Sequence, residues 1–269
     1  MAFITNTRQN LTFLTSSLLT DPGLHHGFST RTGGVSPAPW DSLNLGVSVG
    51  DEMSRVQENF RRFCGAVGVD ERKVVLSRQV HEDNIRLVTA ADCGKGLWRE
   101  RDYESVDAMI TQESGLSLVV FSADCNVILL WDPQHHAAGA VHAGWRGVAA
   151  ALVQKTVFRM QEAFGTDPAA LRCAIGPAIG PCCFETDDDV PAALRESLGD
   201  KADPYMTRQG AKWHIDLKAV NARLLCDLGV PADHIDVCSH CTACMPQLYW
   251  SHRKLGTARG SQIALISLT

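Results

Sequence analysis

Apolar and polar positions alternate along this chain in two recurring patterns. Short apolar runs rich in β-branched residues predict buried strands, and they are KVVLSRQV, SLVVFSA, VILLWDP, HAAGAVHA, LRCAIGP, HIDVCS and QIALISL. Amphipathic segments that end at glycine predict helices, and they are SRVQENFRRFCGAVG, GVAAALVQKTVFRMQEAFG, DDDVPAALRESLG and DLKAVNARLLCDLG. In the last helix, Asp216 is the expected N-cap. Strands and helices interspersed in this way predict a mixed α/β protein.

The chain shows no internal division. Its 269 residues contain no low-complexity tract, no charge block, no linker rich in proline and serine, and no repeat of solenoid length. A chain of this length can bury a substantial core. We therefore expect a single domain over residues 1–269.

Charge and composition narrow the possible partners. The net charge of −5 and the pI near 6.0 argue against a basic surface for nucleic acid or anionic lipid. The N-terminal stretch MAFITNTRQNLTFLTSSL lacks the features of a signal peptide, and no apolar run approaches the ~20 residues of a membrane span. We expect a cytoplasmic protein that binds neither nucleic acid nor membrane. Its ten cysteines are then expected to be reduced thiols or metal ligands.

The stretch SADCNVILLWDP, residues 122–133, places a carboxylate and a thiol between two predicted strands. Cys125 would lie at a strand end or sharp turn, where sheets present functional groups. An inert buried thiol is the alternative. Asp124 is harder to explain by packing, because a carboxylate inside apolar sequence must be paired, hydrated or coordinated. It is a candidate for holding a ligand or for catalysis.

A second candidate segment is AVHAGWRGVAAALVQK, residues 140–155. An apolar strand delivers His142 to its end, and a glycine-bounded turn leads into a predicted helix. Free amides at a helix N-terminus favour an anion, and Arg146 adds a fixed positive charge. We expect a phosphate or carboxylate at this corner.

His81 in SRQVHEDN follows the apolar segment KVVL and is expected at a strand end. A single histidine there is often only a satisfied polar residue. His81, Cys125 and His142 nevertheless share a position at the ends of core strands. Two imidazoles and a thiolate would make a three-ligand zinc set with an open fourth position, as in catalytic zinc sites. Copper is the alternative metal.

The segment CSHCTACMPQLYWSH offers a competing metal signal, with Cys238, Cys241 and Cys244 at CxxCxxC spacing. It could form a closed zinc site or part of an iron–sulfur site, or its thiols could simply line the active site. The segment AIGPAIGPCCFE contains the vicinal pair Cys182 and Cys183 in a rigid loop. We interpret that loop as a pocket wall.

Arg31 lies in STRTGG, where the glycines suit a tight turn and the neighbouring hydroxyls and amides could bind an anion with it. Arg31 is therefore a candidate phosphate ligand. The alternative is a surface turn with a solvated arginine.

The motifs HGFSTRTGG, SLNLG, RQVH, DAMIT, ADC, HAGWRG, GPAIGPCCFE and SHR, in this order, resemble the laccase-domain family. That family is described both as polyphenol oxidases and as zinc-dependent purine nucleoside phosphorylases, and it includes the bacterial peptidoglycan-editing factor. The resemblance spans roughly residues 20–268. It implies an αββα layering of mixed sheets between outer helices, and a zinc site formed by His81, Cys125 and His142 with Asp124 in the adjoining pocket.

The implied activity is phosphorolysis of adenosine, inosine, guanosine and methylthioadenosine to base and ribose 1-phosphate, together with deamination of adenosine. Arg31, Arg146 and the helix N-terminus after Gly147 are the phosphate candidates, and Asn44 and Gln79 are weaker candidates for binding the nucleoside. The segment LYWSHRKLGTARGSQ departs from the family's usual C-terminal pattern, so the preferred substrate stays open.

Three other functions are alternatives to a purine nucleoside phosphorylase. A multicopper polyphenol oxidase needs many histidines in paired spacing, and the ten histidines here are scattered. A cell-wall editing hydrolase acting on a UDP-linked muropeptide precursor would use the same pocket. A metal-stabilised interaction module would have closed coordination, and the open three-ligand set argues against it.

Overall fold

Two six-stranded mixed sheets form the centre of the molecule in the computed structural model, which describes residues 3–269. The first sheet contains, in spatial order, β1 (Phe3–Arg8), β2 (Leu11–Ser16), β3 (Leu24–Ser29), β15 (Gln262–Leu268), β7 (Ser117–Ser122) and β4 (Val74–Leu76). The second contains β14 (Ile235–Val237), β10 (Arg172–Ile175), β8 (Asn126–Asp132), β9 (Ala137–Ala143), β6 (Ala108–Thr111) and β5 (Ile85–Leu87). A small third sheet contains β11 (Glu185–Thr186), β13 (Lys212–Ile215) and β12 (Met206–Gln209).

Five helices contribute buried side chains to the apolar clusters on the outer faces of the two large sheets. They are α1 (Met53–Val67), α2 (Trp145–Ala149), α3 (Leu152–Phe164), α4 (Asp189–Leu198) and α5 (Leu217–Asp227). The short helix α6 (His252–Leu255) has no buried residue. Helix α1 packs on the first sheet, whereas α3 and α5 pack on the second. The predicted mixed α/β fold with αββα layers is confirmed.

Strand β15 shows why the sheets stack. Alternate side chains of a strand point to opposite faces, and both faces of β15 are apolar. Ile263 and Leu265 pack in the cluster that contains α1, while Ala264, Ile266 and Leu268 pack in the cluster between the two large sheets. A strand buried on both sides appears in sequence as the continuous apolar run that predicted it.

One helix predicted to be continuous is interrupted in the structure. The segment from Gly147 to Gly165 was expected to be one long helix, but it forms α2 and α3 with a break at Ala151, whose φ is 52°. Helix α2 contacts α4 and α5, whereas α3 lies along β9. The break is therefore imposed by packing, since an alanine run carries no local signal for it. The predicted N-cap of α5 is confirmed, because the Asp216 side chain accepts a hydrogen bond from the Ala219 N–H.

Sequence patterning missed several strands, some at the sheet edges and some inside the sheets. Strands β1 to β3, β5 and β6 and the small sheet were not predicted, and β4 spans only three residues of the predicted KVVLSRQV run. Within residues 3–269, no helix combines the length and hydrophobicity required to cross a bilayer.

Candidate active site

Cys125 lies in the tight turn between β7 and β8, as its sequence context predicted. The preceding residue, Asp124, has a φ of 101°, which turns the chain back sharply. In the antiparallel pairing of β8 with β9, Val127 is opposite His142. This register brings Cys125 next to His142.

His81 lies close to Cys125 and His142, although it comes from a different part of the chain. It does not end a strand, as was expected, but lies in the loop after β4 with a φ of 65°. The carboxylate of Asp107 holds this loop, because it accepts hydrogen bonds from the backbone N–H groups of Val80, His81 and Glu82 at 3.0, 3.1 and 3.2 Å. A buried carboxylate thus compensates for a backbone conformation that a non-glycine residue seldom adopts.

Asp107 also orients His142. Its Oδ1 lies 2.9 Å from His142 Nδ1, and both side chains are buried. Because the Nδ1 atom is engaged, Nε2 is the imidazole nitrogen left for a ligand. Burial opposes protonation, but the negative charges of Cys125 and Asp107 raise the pKa of His142 to about 9. Sequence reasoning quoted the DAMIT segment but did not identify Asp107 as a functional residue.

The three predicted metal ligands converge. One donor atom from each of His81, Cys125 and His142 lies within 4.8 Å of the others, and Cys125 Sγ is 3.8 Å from His81 Nε2. Although burial opposes ionisation, the charge of His142 and hydrogen bonds from both histidines lower the pKa of Cys125 to about 6. Two imidazoles and one sulfur are ligands that a borderline divalent ion such as zinc prefers, and binding of the ion would displace the proton from His142.

A pocket of about 390 Å³ opens beside these three side chains. This volume is within the range of roughly 300–1,000 Å³ typical of small-molecule sites. Its wall combines apolar and polar side chains: Phe121, Trp145, Ile179, Phe184 and Leu217 on one hand, and Gln79, Ser122, Asp124, His252, Arg253, Arg259 and Ser261 on the other. Flat apolar surface beside a few convergent polar groups is suited to a planar heterocycle with a polar substituent.

Asp124 faces the pocket with both carboxylate oxygens held in position. Oδ1 accepts a hydrogen bond from Thr242 Oγ1 at 2.6 Å, and Oδ2 accepts one from the backbone N–H of Arg253 at 2.7 Å. Each carboxylate oxygen has a second lone-pair direction available. Asp124 can therefore accept a hydrogen bond from a bound molecule without losing its own support.

Arg259 is a pocket residue that sequence reasoning did not identify as functional. Its Nε is buried and has no hydrogen-bond partner among residues 3–269, while Nη1 donates to the Gly260 carbonyl at 2.9 Å. Burial lowers the pKa of Arg259, and the nearby Asp124 and Cys125 oppose that shift. The Arg259 guanidinium lines the pocket and forms no ion pair with a carboxylate of residues 3–269, so it can bind an anion there. Its position just before β15, a strand end like that of His142, was the available signal.

Two predicted substrate ligands lie outside the pocket lining. Arg31 donates to the carbonyls of Asp41 and Pro246 and stacks on Trp250, with its guanidinium carbon 3.8 Å from the ring centroid. Asn44 is buried, and its Oδ1 accepts a hydrogen bond from the Ser261 N–H at 3.0 Å. Both side chains hold neighbouring backbone in place.

Gln79 and Arg146 are the other two polar residues predicted to bind substrate, and only Gln79 lies in the pocket lining. Gln79 lines the pocket, and its amide pairs with both the N–H and the carbonyl of Phe121. Arg146 is exposed and stacks on Trp145, at 4.2 Å from the ring centroid, just outside the pocket lining.

The fold and the site together define a mixed α/β protein with an open His–Cys–His centre in the wall of a small-molecule pocket. The chain belongs to the family whose model is described as multi-copper polyphenol oxidoreductase laccase, and that model matches residues 25–269. The family resemblance drawn from the sequence is therefore confirmed.

Individual relatives carry a different functional name. The chain is 36% identical to purine nucleoside phosphorylase YlmD of Geobacillus stearothermophilus over 89% of this chain and 88% of that protein. It is 31% identical to human purine nucleoside phosphorylase LACC1, over 97% of this chain and 59% of the human protein. The crystal structure of YlmD from Geobacillus stearothermophilus matches with a TM-score of 0.89 at 32% identity, covering 99% of both chains. The similar proteins support an enzyme of the phosphorylase kind and give no support to copper or to an oxidoreductase activity.

Proposed function

We propose that this protein is a zinc-dependent purine nucleoside phosphorylase. The observation that carries the proposal is the convergence of His81, Cys125 and His142 in the wall of the same pocket that exposes Asp124 and Arg259. In this proposal adenosine, inosine, guanosine and methylthioadenosine are substrates with inorganic phosphate, and adenosine deamination is a side activity at the same centre.

His81, Cys125 and His142 would hold the metal. Two imidazoles and one thiolate are ligands that zinc prefers, and the fourth position would face the pocket. When bound, the ion would supply Lewis-acid activation of an oxygen nucleophile or of the substrate. Asp107 would act on this centre indirectly, because it positions His142 and the His81 loop.

In phosphorolysis a phosphate oxygen bonds to the anomeric carbon of the ribose while the bond from that carbon to the purine nitrogen breaks, and the leaving base takes up a proton. The apolar wall formed by Phe121, Trp145 and Phe184 would hold the base. We propose that Arg259 binds phosphate through its guanidinium group, which lines the pocket, and that it also stabilises the charge that moves between phosphate and ribose. Asp124 would accept a hydrogen bond from the nucleoside and act in proton transfer to the leaving base as a general acid–base carboxylate.

The residues outside the lining keep supporting roles in this proposal. Arg31 would fix the segment before α6 through Pro246 and Trp250, and Asn44 would fix Ser261 beside Arg259. Gln79 would hold the pocket wall at Phe121, and Arg146 would contact substrate from the rim.

The proposal is tested by release of free base from adenosine and inosine with and without inorganic phosphate, measured beside metal content by mass spectrometry. For the wild type we expect base release that requires phosphate. Cys125→Ala should lose one equivalent of zinc per chain and the base release together, because the thiolate is a ligand. Cys226→Ser changes an exposed thiol on α5 and is the matched control, which should retain both. Base release that persists in Cys125→Ala at full wild-type rate would contradict the proposal.

A further inference from the structure

Four cysteines meet outside the active centre. One Sγ from each of Cys182, Cys183, Cys241 and Cys244 lies within 4.8 Å of the others. The first pair comes from the loop after β10 and the second from the segment between β14 and α6. Cys238, the first cysteine of the CxxCxxC pattern, is instead buried in the core between the two large sheets.

We propose that these four thiols form a structural tetrathiolate zinc site, independent of the His–Cys–His centre. Four sulfurs around a zinc ion at about 2.3 Å lie roughly 3.8 Å from one another. Cys244 Sγ is 3.5 Å from Cys182 Sγ and 3.4 Å from Cys183 Sγ. These two distances are within a few tenths of an ångström of the spacing a tetrahedral ion requires, and no two of the four sulfurs are more than 4.8 Å apart.

The geometry favours an ion over a disulfide. Cys244 is almost equidistant from two other thiols, which is the arrangement of a shared centre and not of one covalent pair. The two vicinal cysteines are poor partners for each other, because a disulfide has strict geometric requirements. In addition, the backbone N–H of Gly180 donates to Cys241 Sγ at 3.2 Å, a contact that supports a ligating thiolate.

The site is open to metal on one side and packed on the other. Cys182 and Cys244 are exposed, Cys183 is half-buried, and Cys241 is 8% exposed. Cys241 packs with Ile179 and Ala243 in a small apolar cluster. An ion could therefore enter from solvent and close against a formed wall.

Zinc at this position would connect two parts of the pocket wall. The loop after β10 contributes Ile179 and Phe184 to the pocket, and the Cys183 carbonyl accepts a hydrogen bond from Arg253. The second segment contains Thr242, which donates to Asp124. Since the metal would crosslink segments about sixty residues apart in sequence, its role would be to hold the wall in place.

The two proposed zinc sites are separated by counting metal in five chains prepared under reducing conditions without chelator. We expect two zinc ions per chain in the wild type and one in Cys125→Ala. We also expect one in the double variant Cys182→Ser with Cys244→Ser, and none when all three changes are combined. Cys226→Ser, an exposed thiol outside the cluster, should keep two. Because Cys182 and Cys244 are exposed, serine at these positions removes ligands with little loss of packing.

A second measurement leaves all four cysteines of the cluster in place and so does not depend on the folding of variants within it. Cobalt(II) added to metal-free Cys125→Ala chain should give the intense sulfur-to-metal charge-transfer and visible bands of tetrahedral thiolate coordination. No zinc and no cobalt spectrum in Cys125→Ala would overturn the proposal. So would an intact mass lighter by two hydrogens with no metal, which indicates a disulfide, or bound iron with visible absorbance, which indicates an iron–sulfur cluster.

Discussion

The carboxylate of Asp107 lies 2.9 Å from Nδ1 of His142, and it also accepts the backbone N–H of His81 at 3.1 Å. One buried side chain therefore positions two of the three proposed metal ligands. It orients one through its imidazole and the other through its backbone. The centre depends on a residue that does not itself donate to the metal.

Asp107→Asn is expected to weaken metal binding at this centre by ~10- to 100-fold, because carboxylate support of a ligating histidine is worth about that much. The measurement is zinc affinity by competition with a chromophoric chelator. Asp132 provides a matched control, since this buried carboxylate makes a similar 2.9 Å contact with His135 at the opposite end of β8. Equal affinity in wild type and Asp107→Asn would refute the positioning role.

Gly144 is the N-cap of α2, and it leaves room for two of the ligands. A Cβ at this position would lie 2.8 Å from His81 Cδ2 and 3.2 Å from Cys125 Sγ. Gly144→Ala should displace both side chains and lower metal affinity by ~10-fold or more. At Gly147 a Cβ would meet nothing closer than 3.6 Å, so Gly147→Ala should bind metal normally. The same competition assay decides whether the two alanine variants differ.

Arg259→Gln is expected to raise the KM for phosphate by ~10-fold or more while zinc content stays at the wild-type value, because it removes a charged anion donor and no metal ligand. Initial rates of base release are measured against phosphate concentration. Arg61→Gln, at an exposed position on α1 paired with Glu58, serves as control. An unchanged KM in Arg259→Gln would move the phosphate site elsewhere.

Asp124→Asn tests the pocket carboxylate that we propose contacts the nucleoside. The amide oxygen can still accept one of the hydrogen bonds from Thr242 and Arg253, so we expect bound zinc and the fold to persist. Loss of the negative charge should lower kcat by ~100-fold, as for other catalytic carboxylates. Asp236→Asn changes a buried carboxylate that binds Ser16 Oγ and should keep wild-type kcat. Loss of zinc from Asp124→Asn would assign it a structural role instead.

His26 is expected to make stability depend on pH. Burial first, and then the neighbouring His25, lower the pKa of His26 to about 4, and its Nε2 accepts the Ser16 N–H at 2.8 Å. In the unfolded chain the His26 imidazole has its ordinary pKa of ~6.5. Between the folded and unfolded pKa values the unfolded chain therefore binds more protons than the folded protein. The free energy of unfolding falls as pH falls below ~6.5.

Between about pH 7 and about pH 5 the His26 contribution should fall by roughly 2 kcal/mol. The measurement is the free energy of unfolding in urea at the two pH values for wild type and His26→Gln. Subtracting the pH-dependent change measured for His26→Gln from the change measured for the wild type removes any effect of acid on metal binding that both chains share. The same pH dependence in both chains would exclude His26 as the cause.

The local sequence predicted those features of the fold that depend on interactions within a few residues along the chain. The apolar run of β15 forms a strand, as predicted, and Asp216 caps α5 through a hydrogen bond only three residues away. The positions of Cys125 and His142 were also predictable, because each lies beside a turn at the end of a strongly apolar strand.

Tertiary structure alone decided which residues meet. Asp107 reaches the His81 loop 26 residues away, Cys182 and Cys183 reach Cys244 more than 60 residues away, and the adjacent Cys238 is excluded from that cluster. Propensity and periodicity act over a few residues and describe how a segment folds. The register between strands and the paths of loops determine which segments become neighbours, and those are properties of the packed chain as a whole.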